Sequence, residues 1–189
     1  DTEYLRIKCQ WKDKYLFEDA VSGIVRWEES RDVRELDSYW YLEASGTAGE
    51  YWILNYTTGD AMHVAGQTGE VQLGSLNTGD PAYRWIFEQD GGIFRIRSAD
   101  VANQYLSTEI ETDDILDYAG LVTGWLSQQF ILEHIARGAT LPWLSYDEDN
   151  YDSMTAPAYI ESTSYDSGFD IDLAAAEAQK NACIVLDAE

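Results

Sequence analysis

The chain is poor in several residue types on which particular chemistries depend. It has only two cysteines, Cys9 and Cys183, near opposite ends of 189 residues. Their number and spacing exclude a cysteine-based zinc site. Two readings stay open for them: a disulfide tying the tail to the first strand, or two buried free thiols. The only histidines are His63 and His134. No His-Glu-x-x-His motif, ordered Ser/His/Asp set or phosphate-cradling glycine loop accompanies them. Basic residues are scarce, with 12 Lys and Arg against 35 Asp and Glu and a formal net charge of −23. Such a charge repels phosphate backbones and anionic lipid surfaces, which argues against nucleic acid as a partner. No run approaches the length of an apolar membrane span, so membrane insertion is not expected. A sustained 3.6-residue apolar period is also missing from residues 1–136. The chain begins at Asp1, a start that a removed signal peptide or a trimmed chain would equally produce. With the acidic composition, secretion is the expectation.

What is present is a repeat. Tyr4-Leu5-Arg6-Ile7-Lys8 returns as Tyr51-Trp52-Ile53-Leu54-Asn55 and as Ile93-Phe94-Arg95-Ile96-Arg97. Tyr15-Leu16 is matched by Ala61-Met62 and Tyr105-Leu106, and Val25 by Val71 and Ile115. Each unit closes on an aromatic, two apolar residues and an acid: Trp40 to Glu43, Trp85 to Glu88 and Phe130 to Glu133. The closing acids keep a spacing of 45 residues, from 43 to 88 and from 88 to 133. Every unit holds four short apolar or alternating runs punctuated by Gly, Asp, Asn and Ser, the signature of strands and turns. Three such units predict an all-β chain of twelve strands, a β-trefoil with a closed six-stranded barrel. Propellers share the repeat length but normally have more blades, and a solenoid needs capping units. The predicted boundaries are a trefoil over 1–136, with repeats at about 3–46, 49–90 and 91–135, a linker over 137–142 and an acidic extension over 143–189.

The closing strands resemble the Gln-x-Trp signature of ricin-type trefoil lectins. The Trp stands as Trp40 and Trp85, with Phe130 in the third copy, while the Gln position reads Ser38, Tyr83 and Gln128. Residues 5–17 (LRIKCQWKDKYLF), 94–109 (FRIRSADVANQYLSTE) and 124–133 (GWLSQQFILE) are similar to the trefoil modules attached to bacterial glucan-degrading enzymes. The resemblance covers residues 3 to about 135 and implies the fold more directly than the ligand.

A sugar site needs an aromatic face for the C–H face of a pyranose and planar polar groups for its hydroxyls. In the similar modules each repeat supplies an acid after the second strand and a Trp before the last. Repeat three has both, Glu109 and Trp125, with Arg97, Gln128 and Asn103 as polar candidates. Repeat two offers Ala65 and Asp80 at those places; repeat one has the acids Asp19 and Glu35, with Trp27 as a substitute platform. The competing reading makes Trp125 a lid on the barrel and Glu109 a solvated acid. Trp11 and Trp52 read as core or rim packing, Arg6 and Arg95 as solvated or ion-paired. His63 stands where Phe17 and Ser107 stand in the other repeats, a strand-face position. Two carboxylates would suffice for glycoside hydrolysis, but a trefoil offers shallow pockets, so catalysis is not expected and no cofactor is required.

Residues 143–149 (WLSYDED) resemble the opening of the β-sandwich modules that follow such trefoils, and 172–186 resembles a later stretch of them. Some 50 residues are too few for a two-sheet sandwich. Strands are expected at 158–162 and 182–187, packed on the chain's own trefoil, donated to a neighbouring copy, or left from a cut sandwich. Asp147, Glu148, Asp149 and Asp152 are the candidate calcium ligands, with Asp166, Asp170 and Asp172 of similar standing. Their spacing does not fit an EF-hand, and a solvated acidic loop is the simpler reading. The function expected from the sequence is non-catalytic binding of a neutral glycan such as β-glucan. The rival is a structural subunit of an extracellular assembly, joined through the tail.

Overall fold

The computed structural model describes residues 4–65, 69–135 and 160–162. Repeat one contributes β1 (Leu5–Cys9), β2 (Lys14–Asp19), β3 (Ile24–Glu29) and β4 (Trp40–Ala44). Repeat two contributes β5 (Tyr51–Asn55), β6 (Ala61–Val64), β7 (Val71–Gly74) and β8 (Trp85–Asp90). Repeat three contributes β9 (Ile93–Ser98), β10 (Tyr105–Ser107), β11 (Asp117–Ala119) and β12 (Phe130–Ile135). Short 3-10 turns precede the last strand of each repeat, at Leu36–Ser38, Pro81–Tyr83 and Leu126–Gln128.

The first and last strands of each repeat form a ring. β1 pairs with β4, β4 with β5, β5 with β8, β8 with β9, β9 with β12, and β12 returns to β1. Closure leaves this barrel without a free edge. The hairpins β2–β3, β6–β7 and β10–β11 meet one another in a triangle through Ile24 opposite Gln72, Glu70 opposite Asp117 and Arg26 opposite Ile115. Gly23 shows why the hairpin turns are built from particular residues. Its φ of +68° closes the β2–β3 turn, and its carbonyl accepts from Leu73 N–H at 2.9 Å.

Inside the ring the closing aromatics Trp40, Trp85 and Phe130 are all fully buried. The indole Nε1 groups of Trp40 and Trp85 donate at 3.0 Å to the carbonyls of Leu16 and Met62, so burial leaves neither donor unpaired. Phenylalanine needs no such acceptor, which is why Phe130 fills the third place. Ile7, Ile53 and Ile96, and likewise Leu16, Met62 and Leu106, are equivalent members of one buried cluster. Each such side chain contributes about 1.5–3 kcal/mol through burial.

Three sequence readings need correction. In repeat two the core partner of Ile7 is Ile53 rather than Leu54, because the barrel pairs Leu5 with Trp40 and Tyr51 with Trp85. In repeat three the mate of Val25 and Val71 is Leu116, fully buried, rather than Ile115. Arg6 is buried too: Nε reaches Ser38 Oγ at 3.3 Å, an Nη reaches Arg31 O at 2.7 Å, and the guanidinium lies 3.9 Å over the Tyr15 ring.

Cys9 is a buried free thiol beside Thr108 Oγ1 at 3.1 Å, and Cys183 lies outside the described residues. Part of the first expected tail strand is described. β13 (Ile160–Ser162) pairs antiparallel with β12 of its own trefoil, Glu133 opposite Ser162. The strand expected over 182–187 and the candidate calcium ligands Asp147, Glu148, Asp149, Asp152, Asp166, Asp170 and Asp172 fall outside the described residues.

Candidate functional site

The three 3-10 turns give the repeats a common frame. The residue entering each turn is Glu35, Asp80 or Trp125, and the residue ending it is Ser38, Tyr83 or Gln128. Only repeat three therefore carries an aromatic at the entry. Trp125 is 38% exposed, whereas Trp40 and Trp85 are sealed in the barrel.

Gln128 explains how Trp125 is held there. Its amide is fully buried, Oε1 accepting from Val122 N–H at 2.9 Å and Nε2 donating to the Gly120 carbonyl at 2.9 Å. Val122 in turn accepts from the Trp125 N–H at 2.9 Å. The Gln side chain thus stands in for a backbone partner and folds the loop over 120–125 onto the turn. It is a tether without exposed surface, so the polar contact to a sugar expected of it is not what its geometry provides. On the other side, Thr108 N–H donates to Ser127 O at 3.0 Å, which brings the end of β10 against the turn.

The remaining candidates are distributed around this frame. Asn103 precedes β10 in a left-handed turn (φ 56°), with its Nδ2 3.8 Å from where a Cβ on Gly120 would lie. Glu109 follows β10, exposed, and its N–H reaches Ser107 Oγ at 3.3 Å. Asn103 and Glu109 therefore flank opposite ends of one strand. Arg97 is committed elsewhere, its Nε 2.6 Å from Glu88 Oε1. The structure links Asn103, Gly120, Gln128 and Trp125 through the loop over 120–125, and Glu109 follows Thr108, whose N–H bonds to Ser127 of the turn.

Around Trp125 lies an apolar surface that sequence reasoning missed. Leu121, Val122 and Leu126 are 39–47% exposed, and Ile110, next to Glu109, is 50% exposed. The signal was a run of large apolar residues in a segment without strand alternation.

Repeat one is arranged differently. Asp19 accepts from the backbone N–H groups of Val21 and Ser22, from the Ser22 hydroxyl and from Arg26 Nε, and these bonds hold its carboxyl far below its usual range. Trp27 belongs to the core together with its mates Leu73 and Tyr118, because it sits on the inward side of β3. Its ring lies 3.9 Å from the buried Lys14 ammonium, which Trp11 covers from another side at 3.8 Å. Glu35 is exposed, with no platform on that turn. A cavity of about 280 Å³ lies at the β4–β5 turn between Thr47, Glu50 and Tyr51, away from every candidate named above.

No protein-family model matches the chain, and no curated protein matches it by sequence. Solved structures do. The GlcNAcα1-4Gal-releasing endo-β-galactosidase of Clostridium perfringens is 19% identical with a TM-score of 0.64 over 70% of this chain. This chain covers 32% of that enzyme, about a third of its length. The Polyporus squamosus lectin is 19% identical (TM-score 0.59), covering 69% of this chain and 48% of the lectin. ThreeFoil, a designed three-fold symmetric protein, is 18% identical (TM-score 0.58), covering 68% of this chain and 96% of its own. What they share with this protein at such identities is its architecture: the chain is a β-trefoil.

Proposed function

We propose that this protein is a secreted, non-catalytic glycan-binding trefoil whose working platform is Trp125 in the third repeat. The observation that carries the reading is the contrast among the three turns, of which one alone has an aromatic at its entry position. The exposed indole offers the stacking face, with Glu109 and Asn103 as the polar groups nearest its frame and Gln128 as the residue that positions it. Arg97 is bound to Glu88 and is left out of the site. The similar structures point the same way: the Polyporus lectin was solved with a sialylated galactoside, and the trefoil SeviL with the asialo-GM1 saccharide. For this chain a neutral glycan such as β-glucan is preferred, because a net charge of −23 repels sialylated ligands.

Calorimetric titration with neutral gluco-oligosaccharides tests the assignment. Trp125→Ala is expected to weaken binding by about tenfold or more, equivalent to about 1.4 kcal/mol, while the circular dichroism stays that of the parent. Unchanged affinity in the variant discards the site.

The rival role, a structural subunit joined through its tail, would have β13 cross to a neighbouring copy. Gel filtration at micromolar concentration tests it, a compact monomer counting against the assembly role.

A further inference from the structure

The outer wall of the barrel has three seams between repeats, and two of them are closed by the same arrangement. At the seam of repeats three and one, Glu133 stands opposite Arg6; Lys8 Nζ lies 3.2 Å from its carboxylate and Tyr15 donates its hydroxyl at 3.0 Å. At the seam of repeats two and three, Glu88 stands opposite Arg95; Arg97 Nε lies 2.6 Å away and Tyr105 donates at 3.0 Å. The strand register makes these residues equivalent, since Lys8 pairs with Tyr15 and Arg97 with Tyr105. At the seam of repeats one and two the same register puts Glu43 opposite Trp52, and pairs Leu54 with Ala61. The acid is kept, but the opposing arginine, the diagonal cation and the tyrosine hydroxyl are all gone.

Glu43 consequently has no hydrogen bond or ion pair among the described residues, although it is half-buried. Burial alone pushes its carboxyl above the usual range. Beside it lie Trp52, half-buried with its Nε1 enclosed and unpartnered, and Tyr41 two residues back on the same face of β4. A carboxylate among aromatic rings is the environment in which this molecule holds its own cations: Arg6 over Tyr15, Lys14 against Trp11 and Trp27, and Arg31 at 3.7 Å over Phe17.

We infer that the Glu43–Trp52 seam is a docking site for a lysine or arginine side chain presented by a basic segment of another protein. Leu54, in the register place of Lys8 and Arg97, is itself buried, so the incoming cation reaches the Glu43 carboxylate from the solvent side, its apolar stem lying along the half-buried Trp52 and Tyr41. The charge of this chain selects such a partner. With 35 acids against 12 basic residues it draws basic segments and repels a second copy of itself. The site is separate from Trp125, so neither reading depends on the other.

The test is fluorescence anisotropy with a labelled, end-capped hexalysine peptide at physiological ionic strength. Glu43→Gln is expected to weaken binding by about tenfold or more. Leu54→Lys, which supplies the missing cation internally, is expected to block the peptide to a similar extent. Glu29→Gln, at an exposed acid on β3, and Trp125→Ala are expected to stay within about twofold of the parent. Equal affinity for parent and Glu43→Gln overturns the inference, as does an equal loss in Glu29→Gln, which would reduce the effect to general attraction. Should Leu54→Lys fail to fold, the comparison of Glu43→Gln with Glu29→Gln still decides.

Discussion

Asp117 lies on β11 where that strand bridges to Glu70, and its Oδ1 is 3.9 Å from the position of a Cβ on Gly69. Burial, reinforced by the charges of Asp113 and Glu70, lifts its carboxyl from 3.8 to about 6. Between those two values the folded chain keeps a proton that the unfolded chain has released, so this residue lowers stability as pH rises from about 4 to about 6. Asp117→Asn is therefore expected to melt with the parent near pH 4 and above it at pH 7. Thermal denaturation across that range checks the sign; a variant less stable at pH 7 would contradict it. Little of this was legible in the sequence, because it depends on which acids the hairpin triangle brings together. The same holds for Arg6 and Lys14, two charged side chains on alternating strands that tertiary contacts draw inward: Lys14 Nζ is fully buried and donates to Thr108 O at 2.9 Å.

At the scale of elements, strand existence was readable and strand register less so. Where apolar and polar residues alternate, as in β2, the pattern fixes the inward side. Tyr51-Trp52-Ile53-Leu54 offers four apolar residues in succession, and Ile115-Leu116 offers two. Such runs leave the choice of face to the ring closure, which is why both registers moved by one residue. The 3-10 turns escaped prediction, since they are too short for a periodic signal, yet the entry position of each was identified through the repeats. Gln128 was singled out by resemblance, but its role as tether depends on the loop that it closes. Gln128→Ala leaves the Val122 N–H and the Gly120 carbonyl without their partner, an effect of about 1–3 kcal/mol. Faster hydrogen exchange at the Val122 amide is expected, together with weaker glycan binding from a residue that has no exposed surface. Unchanged exchange at Val122 would remove the tether from the account.

For the whole molecule, three copies of one unit share a core and have diverged outside it. The barrel keeps near-equivalent residues in all repeats, because each layer needs three side chains of matched volume. The turns and outer seams carry no such constraint, and there the copies differ: an aromatic entry in one, an unpaired acid in another. Pseudo-symmetry therefore separates what holds the fold from what is free to bind. The central claim is that binding resides in repeat three at Trp125. Tryptophan indole N–H signals in an NMR titration with neutral gluco-oligosaccharide measure it most directly. The account predicts that the signal removed by Trp125→Phe moves on addition of sugar while those of Trp40 and Trp85 stay in place. A titration in which that signal is stationary and another indole responds would contradict it.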